Sequence, residues 1–211
     1  MALNLTGSHF ASLCYLACHK PEEFDTYLEH FVDGQRMPIP KERMAAIQHG
    51  QRNERRTVER LKEKHGLTVY PQYKTKYVKG ACVFDRTVGA KSDGLYKRTH
   101  DDGRREYGIL EIKSPAHQVH ETIPAYYFAQ MILEMKACNR RNALFVSHLN
   151  VEGQPETLRV MHIEWDDAMW RQCTVLFERL NLWTVGSSTD TLRAAFQRFE
   201  QWAIQYIKSN N

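Results

Sequence analysis

The spacing of apolar positions changes several times along the chain, and each change marks an element. Residues 6–18 are largely apolar after Thr6-Gly7-Ser8, the pattern of a short buried helix that Ser8 can cap. Residues 19–40 are mixed and end in Met37-Pro38-Ile39-Pro40, which breaks any helix before Lys41. From there Met44, Ile47, Gln51, Glu54, Val58 and Leu61 recur at steps of three and four, so one helical stripe is predicted over 41–65, stopped by Gly66. Residues 67–79 alternate as a strand, with Pro71 marking an edge or bulge. Apolar runs at 82–96 and 107–113 flank a charged turn, which predicts a hairpin. A helix is expected over 124–138, with Tyr127, Met131, Ile132, Met135 and Cys138 inward, followed by strands over 143–149 and 158–165. Asp166 caps a helix to about Trp183, and an amphipathic helix over 191–208 closes the chain. The sum is an α/β (α+β) protein, a central mixed sheet flanked by helices. It is read as one domain, with an N-terminal helical part (1–66), a sheet core (67–165) and C-terminal helices (166–211).

Composition changes this picture little. At 211 residues, 42% hydrophobic and 26% charged, the chain has the make-up of a soluble globular domain. A net charge of +4 permits a nucleic-acid partner and equally a plain basic surface. Cys14, Cys18, Cys82, Cys138 and Cys173 are odd in number and scattered, the signature of free thiols in a reducing compartment. Cys14 and Cys18 are expected to pack in a core, since no second pair completes a metal site. The first residues carry no signal-peptide pattern and no run is long enough to span a bilayer. An intracellular, soluble protein without a membrane partner is expected.

The chemistry concentrates at residues 89–115. Strand alternation puts Glu111 and Lys113 on one face and Leu110 and Ile112 on the other, and hairpin pairing can bring Asp93 beside Glu111. Two carboxylates and a lysine on one sheet edge make a poor core. They suit Mg²⁺, with the Ile112 carbonyl as a further oxygen ligand and Lys113 orienting or deprotonating a water, its pKa lowered near the metal. Glu54, on an apolar stripe, either pairs with a neighbouring arginine or joins the metal ligands. Gln130 either faces solvent or contacts a phosphate or water. Ser8 either caps its helix or meets a phosphate at the helix N-terminus. Arg52, Lys91, Ser92, Arg140 and Arg141 are candidate nucleic-acid contacts. Tyr and Lys interleave over 70–79, which fits either a solvated edge strand or a nucleic-acid track. His117 and His120 are surface or capping residues or, on a helix, a pair of metal ligands.

Asp93-(x17)-Glu111-x-Lys113, approached through Gly89-Ala-Lys-Ser and followed by Ala125-Tyr-Tyr-Phe-Ala-Gln130, resembles the PD-(D/E)xK nuclease superfamily. Within it the chain resembles the lambda-type exonuclease branch, which includes YqaJ-like viral recombinases and, more distantly, herpesvirus and baculovirus alkaline nucleases. The resemblance runs from about Ser8 to Leu149. It implies metal binding by Asp93 and Glu111, a catalytic role for Lys113, and further site roles for Glu54 (from Gly50-Gln-Arg-Asn-Glu54) and Gln130. It also implies a 5′-phosphate contact at Ser8. The family's arginine ahead of that serine has no counterpart in residues 1–4, and Lys91 stands where relatives can carry serine. The activity implied is Mg²⁺-dependent 5′→3′ digestion of double-stranded DNA ends, with Mn²⁺ as a substitute ion. A single-strand-annealing recombinase as partner and a homotrimer are implied too. Endonuclease or DNA/RNA nuclease activity, or a non-catalytic binding module, are the alternatives. A related branch carries an iron–sulfur cluster on late cysteines; with only Cys173 late in this chain, none is expected.

Overall fold

The computed structural model describes residues 4–35 and 41–210, the side chains of Glu42 and Arg43 excepted. The expected break at 37–40 therefore lies outside the described residues. In chain order the elements are β1 (Leu5–Thr6), α1 (Gly7–His19), α2 (Pro21–Val32), α3 (Lys41–His65), β2 (Thr68–Pro71), β3 (Lys76–Val83), β4 (Arg86–Ala90) and β5 (Gly94–Thr99). They continue with β6 (Arg105–Lys113), α4 (Ala125–Cys138), β7 (Asn142–Leu149), β8 (Thr157–Glu164), α5 (Asp167–Leu182) and α6 (Asp190–Asn210).

The α/β class is as expected, but two sheets replace the single central one. A five-stranded mixed sheet has the order β2-β5-β6-β7-β8, with only the β6–β7 pair parallel, and a three-stranded sheet has the order β1-β4-β3. The stretch 67–79 is thus not one strand: β2 belongs to the large sheet and β3 to the small one. The run 82–96 is likewise divided. Phe84 and Asp85 both adopt positive φ (52° and 58°) and turn β3 back into β4. Asn181 of α5 holds that turn, accepting from the Phe84 N–H at 2.7 Å and donating to the Cys82 carbonyl at 3.1 Å.

Burial separates the two faces of the large sheet. On one face Ile109, Ala143 and Phe145 join the main core with α1, α4, α5 and α6. There Phe10 meets Phe177, Phe196 and Phe199, Phe128 stacks on Tyr206, and His19 reaches Glu200 at 2.8 Å. On the other face Leu110, Ile112, Leu144, Val146 and Tyr96 pack with Leu61 of α3. Between Tyr96 and Asn142 there is room for nothing larger than glycine at 108. A Cβ there would lie 2.4 Å from the Asn142 carbonyl oxygen and 2.4 Å from the Tyr96 ring, which crosses Gly108 so that its hydroxyl donates to Glu106 at 2.6 Å. Cys14 and Cys173 are buried in the core and all five thiols are free. No helix among the described residues is long and apolar enough to cross a membrane.

The expected stripe on α3 holds at Val58 and Leu61, which pack on the sheet, and fails towards the N-terminal end of the helix. Met44, Ile47 and Gln51 are exposed, while Asn53, Thr57 and Leu61 face the sheet. The buried polar pair is satisfied. Asn53 meets His49 at 2.9 Å and accepts from Asn150 at 3.0 Å, and the Thr57 hydroxyl lies 2.7 Å from His148 Nδ1. His148 Nε2 lies 2.9 Å from Glu156, which can only accept, while the single Thr57 hydroxyl proton goes to the Asn53 carbonyl at 2.9 Å. Glu156 also takes a two-point contact from Arg60 at 3.0 Å per bond. Arg60 holds the Glu156 carboxyl down to about 2, and burial holds His148 below its ordinary 6.5. Both groups bind fewer protons folded than unfolded, so each stabilises the fold at neutral pH and loses that effect on acidification. The loss begins as pH drops below about 6.5 with His148 and continues from the ordinary carboxylate value down to about 2 with Glu156. Thermal unfolding is expected to show a melting temperature that declines over this window. Glu156→Gln should flatten the decline and cost about 1–2 kcal/mol at pH 7, a modest figure because solvent reaches the pair. An unchanged pH profile in that variant would count against this network.

Candidate active site

Six side chains converge where β5, β6 and α4 meet. The β5–β6 pairing aligns Gly94 with Leu110, which brings the preceding Asp93 beside Glu111, as the hairpin reading expects. Asp93 lies just ahead of β5 rather than within the preceding strand, and its Oδ2 accepts from the Ile112 N–H at 2.7 Å. Glu111 is 1% exposed; its Oε1 accepts from Lys113 Nζ and, at 2.7 Å, from Gln130 Nε2. Gln130 is buried rather than solvent-facing, because its amide also donates to Glu134 Oε1 at 2.8 Å. The Lys113 ammonium stands 4.5 Å over the Tyr127 ring, a cation–π contact that fixes its direction.

The charges are out of balance. Burial, and then the nearby Asp93, push Glu111 up to about 7. Burial followed by Glu111 raises Glu134 well above the carboxylate range, and burial raises Asp93 against the pull of Lys113. Burial opposes the Lys113 ammonium, yet the adjoining carboxylates hold its pKa above the ordinary lysine value. Among these groups alone Lys113 is an ammonium; the expected lowering belongs to a site that holds a metal ion. Glu54, half-buried on α3, is raised by burial and then by the charge of Asp93, so α3 does deliver it toward the same site. Glu111 Oε2 and Glu134 Oε2 are buried with no donor from any other described residue; a proton on Glu134 bonds it to Glu111, and with both ionised the two oxygens are unpaired. Two buried, unpaired carboxylate oxygens beside a third acid suit a hard divalent cation. Among the described residues no three His, Cys, Asp or Glu side chains form a ready-made metal group. The donor set that fits is therefore Asp93, Glu111 and the Ile112 carbonyl, the sparse carboxylate ligation of an ion that keeps several waters.

Glu134 escaped the sequence reading. Its signal was its place four residues after Gln130 on an otherwise apolar helix face, where a carboxylate must be partnered. Ser8 is not the N-cap. Thr6 is, its hydroxyl accepting from the His9 N–H at 3.3 Å, which leaves Ser8 exposed in the first turn of α1. That turn abuts the site, since a Cβ on Gly7 would lie 3.1 Å from Gln130 Cγ.

Several candidates fall elsewhere. Ser92 is fully buried and its hydroxyl turns inward, 2.9 Å from Gln72 Oε1 and 3.0 Å from the Gly94 carbonyl, so it shapes the turn and offers no surface contact. Lys91 beside it is exposed, and its charge favours ionised Asp93 and Glu54. Arg52 is exposed and donates to its own helix at Gln48. Arg140 and Arg141 precede β7, whose Asn142 aligns with Gly108 while Phe145 aligns with Glu111. They thus sit at the opposite end of the sheet, roughly 10–15 Å from the carboxylates. His117 lies on a bend and His120 in irregular backbone, neither on a helix. His120 packs edge-on against Tyr127 and Phe145, and burial keeps it below its ordinary pKa, so the pair forms no metal face.

The family model of the YqaJ-like viral recombinase domain matches residues 2–141, a span that holds Glu54, Asp93, Glu111, Lys113, Gln130 and Glu134. The chain belongs to the YqaJ-like viral recombinase family. No curated protein matches it. Among solved structures this YqaJ-like chain is similar to an alkaline exonuclease (LHK-Exo) from Laribacter hongkongensis. The TM-score is 0.55 at 20% identity, covering 98% of this chain and 92% of that one. The same enzyme in complex with dAMP gives 0.60 at 19% identity, over 96% and 94%. A phage-related exonuclease from Haemophilus somnus 129PT gives 0.53 at 10% identity, over 100% and 98%. At these identities the likeness is one of fold. It extends through β7, β8, α5 and α6, beyond the end of the YqaJ-like match.

Proposed function

We propose that this YqaJ-like protein is a Mg²⁺-dependent deoxyribonuclease that digests double-stranded DNA from its ends in the 5′→3′ direction. The observation that carries the reading is the Asp93–Glu111–Glu134 cluster, buried at its two glutamates and half-buried at Asp93, with one ammonium beside three acids. Asp93, Glu111 and the Ile112 carbonyl would hold the ion, which when bound supplies positive charge to the phosphate oxygens. Lys113, kept protonated, stabilises the negative charge that builds on the phosphoryl group during displacement. Gln130, with both amide hydrogens engaged, holds Glu111 and Glu134 apart and in place. Glu54 adds a further carboxylate from α3. Ser8 and the N–H groups of the first turn of α1, a turn that abuts Gln130, would take a terminal phosphate.

The test is digestion of linear duplex DNA with 5′-phosphate or 5′-hydroxyl ends, beside a covalently closed circle, with Mg²⁺ or with EDTA. The linear duplex is expected to shorten from its 5′ ends, the circle to stay intact and EDTA to stop the reaction. Nicking of the circle at a comparable rate would make the protein an endonuclease, and digestion in EDTA would remove the metal from the scheme.

A further inference from the structure

The alternation of Tyr and Lys over 70–79 takes no part in the site described above, and its side chains are placed unlike those of an ordinary edge. Tyr70, Tyr73 and Tyr77 are 52%, 82% and 55% exposed. Lys74, Lys76 and Lys79 are exposed as well, and none forms an ion pair among the described residues. Aromatic rings left this far in water on so short a segment, Tyr73 above all, gain little for the fold, so folding stability alone does not account for them.

The segment is not loose. Gln72, in its middle, is buried. Its Oε1 lies 2.9 Å from the Ser92 hydroxyl and 3.2 Å from Cys138 Sγ, and its Nε2 donates to the Lys74 carbonyl at 3.2 Å. The Tyr77 ring lies against Gly89, where a Cβ would come within 2.9 Å of Cδ1. The segment is therefore fastened on both sides of Tyr73 to the stretch 89–94 that carries Lys91 and Asp93. Pro71 aligns with Gly94 and Tyr70 with Leu95, so Tyr70 shares the sheet face of Asp93 and Glu111, roughly 8 Å from Asp93 between Cα atoms.

We propose that Tyr70, Tyr73 and Tyr77, with Lys74, Lys76 and Lys79, form a stacking platform for unpaired nucleotides of a DNA strand leading to or from the carboxylate cluster. Tyrosine rings with free faces take up bases of any sequence, and unpaired ammonium groups follow the phosphates between them. A blunt duplex keeps its base faces stacked internally and offers nothing to these rings. The proposal rests on the nuclease reading for its location, but it is tested by binding alone.

The probe is a fluorescently labelled 12-nucleotide DNA single strand, followed by anisotropy in Ca²⁺ without Mg²⁺, with a blunt duplex as comparison. Tyr73→Ala should weaken single-strand binding about five- to tenfold, and Tyr73→Phe should leave it within twofold. The triple alanine variant at 70, 73 and 77 should weaken it at least about 50-fold while changing duplex binding less than about threefold. Replacing the three lysines by glutamine should reduce the slope of log affinity against log salt by about 2. Wild-type affinity in the triple tyrosine variant overturns the proposal. So does a change in sedimentation coefficient without a change in DNA binding, which would make the edges β2 and β3 a contact between copies. A protein that binds the single strand through its tyrosines yet cuts no DNA would refute the nuclease reading and support the platform.

Discussion

Glu111→Gln is expected to abolish DNA cleavage and raise thermal stability at the same time. The loss follows from removing the carboxylate proposed as a metal ligand from the centre of the cluster, where it is 1% exposed and beside Lys113. The rate of nucleotide release from linear duplex in Mg²⁺ should fall by about a thousandfold or more, the scale seen when a group that stabilises transition-state charge is removed. The gain follows from the same burial. Glu111, Glu134 and Asp93 crowd three acids against one ammonium, and with both glutamates ionised Glu111 Oε2 has no partner. A neutral isostere keeps an oxygen for Gln130 and Lys113 while removing one desolvated charge, which should stabilise by about 1–2 kcal/mol. Glu111→Ala should lose activity equally but melt lower, because Gln130 and Lys113 are left without their acceptor. Calorimetry beside the cleavage assay separates the three proteins. An active Glu111→Gln variant, retaining more than about a tenth of the wild-type rate, would take Glu111 out of the metal set.

Gly108→Ala is expected to be the most damaging single methyl group in the chain. The added Cβ would sit 2.4 Å from a backbone oxygen on β7 and 2.4 Å from the Tyr96 ring. Relief requires separating β6 from β7, or swinging Tyr96 out of the α3-side core and off Glu106. Neither is a rotamer change, so a cost of about 3–5 kcal/mol is expected, seen as a drop in the urea midpoint or as insoluble protein. A variant within about 1 kcal/mol of wild type would mean that β6 and β7 separate freely. Because β6 carries Glu111 and Lys113, any soluble fraction should also cleave poorly.

The sequence announced part of this site through strand alternation alone. Asp93, Glu111 and Lys113 were legible because the period of two and a single hairpin suffice to set them side by side. Gln130 was legible as a candidate but not in its role, since its burial depends on Glu111 arriving from a distant strand. Glu134 was hidden for the same reason: a glutamate on a helix reads as solvent-facing until its partners are known. The α3 stripe was drawn from Met44 to Leu61 at helical spacing, and beyond Val58 and Leu61 the buried side is set by Asn53 and Thr57, whose polar atoms are engaged by Asn150 and His148. The division of 82–96 was invisible because a two-residue turn with positive φ at both positions normally announces itself with Asn or Gly. Phe84 and Asp85 give no such sign, and the turn is held by Asn181, 97 residues away. Such elements are decided by tertiary contact, which no local pattern encodes.

The docking of α1 on α6 carries a consequence for how the protein is made. Phe10 finds its aromatic neighbours Phe177, Phe196 and Phe199 only in α5 and α6, far later in the chain. At ordinary rates of synthesis Phe10 leaves the ribosome roughly 10–40 s before Phe196 does. The helix bearing Gln130 and Glu134 also waits, since its Phe128 packs under Trp202 and Tyr206. The carboxylate cluster is therefore assembled late, and an unfinished chain holds the acids without the arrangement that gives them chemistry.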